Sequence, residues 1–176
     1  MTTVILFRGR PGVGKTSVSN RLSERLRYPI IRKDDIYDVL AGTVDGHDNR
    51  NRLCYGILYQ MLDTNASNGS SVILDFPFNR KEDMSALRQW LDSKRIVFKS
   101  VLCVCSDETI WAKRFEERKE NPLPNQLITD FEQLKRHYGG DLTIVPVDGE
   151  LVVDTIEPLE RIVEKVMEYI SAVPYS

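Results

Sequence analysis

Residues 9 to 16 read GRPGVGKT and satisfy the phosphate-loop pattern GxxxxGK[ST] at every fixed position, directly behind the apolar run Val4 to Phe7. The pattern demands a strand before it and a helix after it, and SVSNRLSERL supplies the helix. Gly9, Gly12 and Gly14 let the backbone turn through conformations that side chains disfavour, so that successive N–H groups face phosphate oxygens. Within Gly9, Pro11, Gly12, Val13, Gly14, Lys15, Thr16 and Ser17, Lys15 is placed to reach the β and γ phosphates. Thr16 offers a hydroxyl to magnesium, and the helix beginning beside it turns its positive dipole end to the anion. A nucleoside triphosphate with Mg2+ is the expected ligand. The competing reading, a glycine-rich turn without a ligand, does not account for the loop lying between a strand and a helix.

The 176 residues fit one domain, 1–176, and a chain of this size buries about two-thirds of its unfolded surface. A net charge of −2 does not advertise a large nucleic-acid footprint. Cys54, Cys103 and Cys105 lack CxxC spacing, and the first residues lack a charged leader, so the cytoplasm is the expected compartment. Cys103 and Cys105 alternate within VLCVC and read as core packing. No run approaches the roughly 20 apolar residues that cross a bilayer, so no membrane partner is expected.

Strands are predicted at 3–7, 29–32, 71–76, 97–105 and 150–154, mostly as continuous apolar runs suited to a parallel sheet covered on both faces. Helices are predicted at about 15–27, 35–41, 49–67, 80–93, 107–120, 125–138 and 158–172. This alternation gives right-handed crossovers and a three-layer αβα domain, with ligands at the carboxyl ends of the strands. The stretch 42–48, GTVDGHD, reads as a loop, and Pro122 and Pro124 mark another break.

Three further segments bear chemistry. RKDD, residues 32–35, sets adjacent carboxylates at the end of the second strand, facing the same cleft as Lys15. Phosphoryl transfer to an alcohol needs the hydroxyl proton removed or oriented, and Asp34 is assigned that role, with Asp35 as the cap of the next helix. The adjacency leaves open which of the two is the base, and both as plain caps is the bland alternative. ILDFPF closes on Asp75, read as a magnesium contact through water or a bond to the acceptor, or else as a turn carboxylate bonded to backbone. In WAKRFEER, Arg114 and Arg118 share one helix face and are expected to close as a lid, about 112–128, over the transferring group. Pairing with Glu116, Glu117 and Glu120 on a solvated face is the alternative.

Together GRPGVGKT, RKDDIYDVL, ILDFPF and WAKRFEER resemble the P-loop kinase superfamily. The branch is that of polynucleotide 5′-hydroxyl kinases, zeta-type toxins, chloramphenicol phosphotransferase and AAA-type small ATP-binding kinases. The resemblance implies an α/β P-loop NTPase fold with a five-stranded parallel sheet in the order 2-3-1-4-5 and an arginine lid. It also implies that Lys15 and Thr16 hold the nucleotide and magnesium, that Asp34 is the first Asp of the kinase pair, and that Trp111, Arg114 and Arg118 form a WxxRxxxR lid pattern. VVDTIEPLE is similar to the adenine-lining segment, which brings in Asp154 and Thr155. One departure matters: the polynucleotide kinases carry an arginine three residues after the catalytic Asp, where this chain has Tyr37.

The expected activity is ATP-dependent transfer of the γ-phosphoryl group to a hydroxyl of a small molecule, a nucleoside or a nucleic-acid end. The missing arginine and the near-neutral charge disfavour the nucleic-acid end. Acceptor contacts are expected from Asp34, Tyr37, Asn51, Tyr55, Asp75 and Arg80, although Tyr55 with Tyr59 also has the spacing of core residues. His47 and His137 show no partner spacing and receive no role. A regulatory P-loop NTPase without a dedicated acceptor is the alternative, disfavoured because neither NKxD nor LSGGQ occurs. Acceptor identity and oligomeric state leave no sequence trace.

Overall fold

The structure is a computed structural model and describes residues 2–172. The chain alternates strand and helix as β1 Thr3–Arg8, α1 Lys15–Leu26, β2 Ile30–Arg32, α2 Lys33–Leu40, α3 His47–Ser67 and β3 Val72–Asp75. It continues as α4 Lys81–Ser93, β4 Val97–Val104, α5 Glu108–Lys119, α6 Phe131–His137, β5 Leu151–Asp154 and α7 Leu159–Ser171. The five strands form one parallel sheet in the order β2-β3-β1-β4-β5, with Leu6 beside Leu74 and Ser100, and Cys103 beside Val153. The expected fold class and strand order both hold.

The two-residue period of the strands sorts the core into two faces. Ile5, Phe7, Val101, Cys103 and Val153 pack with Val18 and Leu22 of α1, Trp111 and Phe115 of α5, Phe131 and Leu134 of α6, and Ile162, Val163 and Val166 of α7. Val4, Leu6, Val72 and Leu74 pack with Leu58 and Leu62 of α3 and Met84, Leu87 and Leu91 of α4. Both faces are covered, and the loop between β1 and α1 leaves the sheet at the carboxyl ends of the strands, where the cleft opens. The switch point lies at β1, whose neighbours β3 and β4 come from opposite directions of winding. Cys103 and Cys105 are buried free thiols within the first of these cores.

Several element boundaries differ from expectation for local reasons. β2 runs into α2 without an intervening residue, so Arg32 occupies the cap position and Asp34 and Asp35 both lie in the first turn. Asp35 is therefore not a cap; it accepts from Arg32. α3 starts at His47, two residues early, because Gly46 at φ 83° turns the chain there. The helix expected from 125 begins only at Phe131: Asn125 is bound to Asp38, and Asp130 caps the helix through Gln133 N–H. No helix among the described residues is long and apolar enough to cross a membrane.

Candidate active site

The loop between β1 and α1 is held so closely that its glycines are compulsory. A Cβ on Gly9 would stand 2.4 Å from the Cys103 carbonyl of β4, and one on Gly12 would stand 2.5 Å from the Phe115 ring. Both also take positive φ, 144° and 78°. Trp111 Nε1 donates to Pro11 O at 2.9 Å, and Arg114 donates to Val13 O at 2.9 Å, to Thr155 Oγ1 at 2.9 Å and to Thr155 O at 3.1 Å. Thr155 also donates to Val13 O. One face of α5, spaced i, i+3, i+4, thus clamps the loop to the turn after β5.

Lys15 Nζ lies over the mouth of the loop, donating to Gly9 O at 3.1 Å and Arg10 O at 3.0 Å. Thr16 Oγ1 donates to Asp75 Oδ2 at 3.1 Å, and Asp75, buried at the end of β3, also receives Arg32 Nε at 3.4 Å. A hydroxyl beside one carboxylate at a phosphate loop fits Mg2+, which takes few protein oxygens and completes its shell with phosphates and water.

These groups open on a cleft of about 1270 Å3, lined by Gly9, Pro11, Gly12, Gly14 and Lys15 to Ser17 on one side. Lys33, Asp34 and Asp75 line its floor, and Arg118 with Asn121 to Ile128 overhangs it. Asp34 lines this cleft as an exposed residue with no side-chain hydrogen bond among the described residues. Desolvation raises its carboxyl pKa above the ordinary aspartate range, and the charge of Asp75 adds to that; Lys15 and Lys33 oppose it. Arg118 lies half-buried over the Phe115 ring, 5.3 Å from its centroid. Burial lowers its pKa, and the charge of Asp34 opposes the shift.

The two arginines of α5 that the sequence assigns to a lid therefore differ. Arg114 is consumed by Val13 and Thr155, whereas Arg118 has no hydrogen-bond partner among the described residues and faces the cleft. Val13 is 1% exposed and turns its side chain into the core, presenting only backbone. Asp154 accepts from Ser106 N–H and Ile156 N–H, both at 3.2 Å, and does not line the cleft; Thr155 does.

Of the six expected acceptor contacts, only Asp34 and Asp75 line the cleft. Tyr37 is 2% exposed, its hydroxyl hydrogen-bonded to His47 Nδ1 at 2.9 Å. Asn51 binds His47 Nε2 at 2.7 Å. Tyr55 packs edge-on against Phe76 and Phe78, its burial pushing its hydroxyl pKa up to about 12. Arg80 points outward into a bidentate pair with Asp83 at 2.8 and 2.9 Å. In their place the fold brings Lys33, His47, Asn79, Asn121 and Asn125 to the cleft. Lys33 was within reach of sequence reading, being the neighbour of Asp34 in RKDD. The others come from loops and helix ends that carry no motif.

A family model described as an AAA domain matches residues 4–137, from β1 through α6. Among solved structures, a candidate kinase from Chloroflexus aurantiacus j-10-fl is similar with a TM-score of 0.74 at 23% identity, covering 96% of each chain. A gluconokinase from Sinorhizobium meliloti 1021 is similar with a TM-score of 0.63 at 20% identity, covering 96% of this chain and 91% of that one. The Mycobacterium tuberculosis APS kinase in complex with AMPPNP and APS gives 0.67 at 13% identity, covering 97% and 98%. At these identities the likeness is one of fold. No curated protein matches the chain.

Proposed function

Because the chain belongs to the AAA domain family, we propose that it is an ATP-dependent kinase that transfers the γ-phosphoryl group to a hydroxyl of a small molecule. The observation that carries this reading is the unpaired carboxylate of Asp34, which shares one cleft with Lys15, the Thr16–Asp75 pair and Arg118. A nucleotide switch has no use for an unpaired carboxylate at that position. The names gluconokinase and APS kinase among the structural relatives support a small acceptor, and Tyr37 in place of an arginine argues against a nucleic-acid end.

In the proposed reaction the loop amides and Lys15 hold the β and γ phosphates in line with the acceptor. Asp34 takes the proton of the acceptor hydroxyl as its oxygen bonds to the γ phosphorus. The bond from that phosphorus to the β–γ bridging oxygen breaks, and its electron pair leaves with ADP. Arg118 stabilises charge on the equatorial oxygens. Thr16 and Asp75 are the residues that would hold Mg2+, which when bound screens the phosphate charge. Arg114 acts one step removed, fixing the loop rather than touching the phosphoryl group.

The test is ADP release with ATP and magnesium across a panel of sugars, sugar acids, nucleosides, amino-alcohols and 5′-hydroxyl oligonucleotides, with Lys15→Ala and Asp34→Asn as controls. Acceptor-dependent release lost in both variants sustains a kinase. Release indifferent to every acceptor and retained in Asp34→Asn would point instead to a regulatory NTPase.

A further inference from the structure

The cations around the cleft are unequally occupied. Arg32 is shared among Asn20, Asp35 and Asp75. Arg114 is held by Val13 and Thr155, and Lys15 lies on the phosphate loop. Arg118 lines the cleft and is taken up by the phosphoryl group in the proposed reaction. Lys33 has no such employment: it opens α2 next to Asp34, lines the cleft, and its ammonium has no hydrogen bond or ion pair among the described residues. Its nearest neighbours of note are the Tyr37 and Tyr55 rings, 5.8 and 6.0 Å from the nitrogen. Burial lowers its pKa, and the nearby charge of Asp34 opposes the shift without forming an ion pair with it.

The same cleft carries polar groups without charge. Asn79 follows the β3 end and lines the cleft, and its side-chain oxygen is buried with no partner among the described residues. Asn121 also lines the cleft. An unpaired cation one residue from the base, with amides lining the same cleft, fits a ligand that brings its own anion and its own hydroxyls.

We propose that Lys33 is the anion anchor of the acceptor subsite, so that the acceptor is a small polyhydroxylated molecule bearing a carboxylate or a phosphate, its reactive hydroxyl at Asp34. The proposal rests on the kinase reading and narrows it. A charge-assisted hydrogen bond contributes about 1.5–3 kcal/mol, which corresponds to at least about a tenfold preference for the anionic member of a matched pair. The competing role for Lys33 is to tune Asp34 alone, and that role is blind to acceptor charge.

The experiment uses the full chain with ATP and magnesium and compares gluconate with sorbitol, glycerate with glycerol, and glucose 6-phosphate with glucose. The expected result is at least about tenfold higher kcat/KM for an anionic member, with the carboxylate and phosphate arms telling which head group is taken. Lys33→Met should raise KM for that anion to the level of its neutral partner while KM for ATP stays put, and Lys33→Arg should restore part of the preference. Neutral members that match or beat the anionic ones would overturn the proposal. So would a Lys33→Met variant that loses turnover equally on both members with a displaced pH profile. If no pair is phosphorylated the kinase reading fails for these acceptors, and titration of the same pairs into the protein saturated with ADP and magnesium still decides the anchor. Binding selective for the anion and lost in Lys33→Met sustains it; unselective or absent binding overturns it.

Discussion

The two halves of the cleft are built on different plans. On the nucleotide side nearly every polar group is spent within the protein: Trp111, Arg114 and Thr155 fix the loop carbonyls, and Gly9 and Gly12 sit where no side chain fits. On the side where we propose the acceptor binds, the charged groups Lys33, Asp34 and Arg118 have no side-chain hydrogen bond among the described residues, and the overhang is held to α2 by Asp38, which accepts from Asn125 N–H and Nδ2 at 2.7 Å each. A site that binds one invariant ligand is preorganised by its own contacts.

The contrast is open to direct assault, beginning with the frame that the nucleotide half rests on. Arg8, at the end of β1, donates to Glu150 at 2.6 and 2.7 Å with the two side chains 1% and 0% exposed, and it also reaches Phe78 O and Val145 O. Arg8→Met leaves Glu150 buried without its partner and should cost about 3–5 kcal/mol of stability in chemical denaturation. Arg8→Met combined with Glu150→Leu should recover much of that; an unchanged midpoint in the single variant would show that the pair holds nothing. Thr155→Val removes the hydroxyl shared by Val13 O, Val104 O and Arg114, and should cost about 1–3 kcal/mol with a raised KM for ATP. If only the acceptor KM moved, the halves would not be separable as described.

Asp38→Ala strikes the other side. Losing both bonds to Asn125 should raise the acceptor KM severalfold, in line with about 1 kcal/mol for partly exposed hydrogen bonds, with the melting temperature nearly unchanged. A fall in ATP affinity instead would place the overhang in the nucleotide half. The smallest effect expected is on stability against pH at Asp34. Because burial raises its folded-state pKa, the stability linked to this carboxyl is full below the unfolded aspartate value and is lost as pH rises through the folded value. Asp34→Asn cannot ionise, so it should melt above the wild type at neutral pH, the gap closing below about pH 4. Equal melting at all pH would remove the desolvation. With Asp34 as base, kcat/KM should climb with pH through the same raised value and then level.

The same division governs what could be read from the chain. The continuous apolar strands and the glycine spacing made the parallel sheet and the loop legible from pattern and backbone geometry, whereas the order of the strands came only from the family resemblance, because spacing along the chain does not say which strands lie side by side. Asp34 and Arg118 were readable because each lies in a local motif. Tyr37, Asn51, Tyr55 and Arg80 misled because helical spacing says which residues share a face but not which way the face turns: α3 turns Tyr55 onto Phe76 and Phe78, and Arg80 swings to Asp83 three residues on. Arg114 was read as a free cation because its partners, Val13 and Thr155, are 101 and 41 residues away. Asn79, Asn121 and Asn125 reach the cleft through loop geometry alone.

The most direct test of the account is a paired measurement on Asp34→Asn: the dissociation constant of a non-hydrolysable ATP analogue with magnesium, and the rate of phosphoryl transfer to an acceptor found in the panel. If the halves are separable and Asp34 takes the proton, analogue affinity should remain within about threefold of wild type while transfer falls by about 10²–10⁴. Retained transfer, or affinity and transfer falling together, would contradict it.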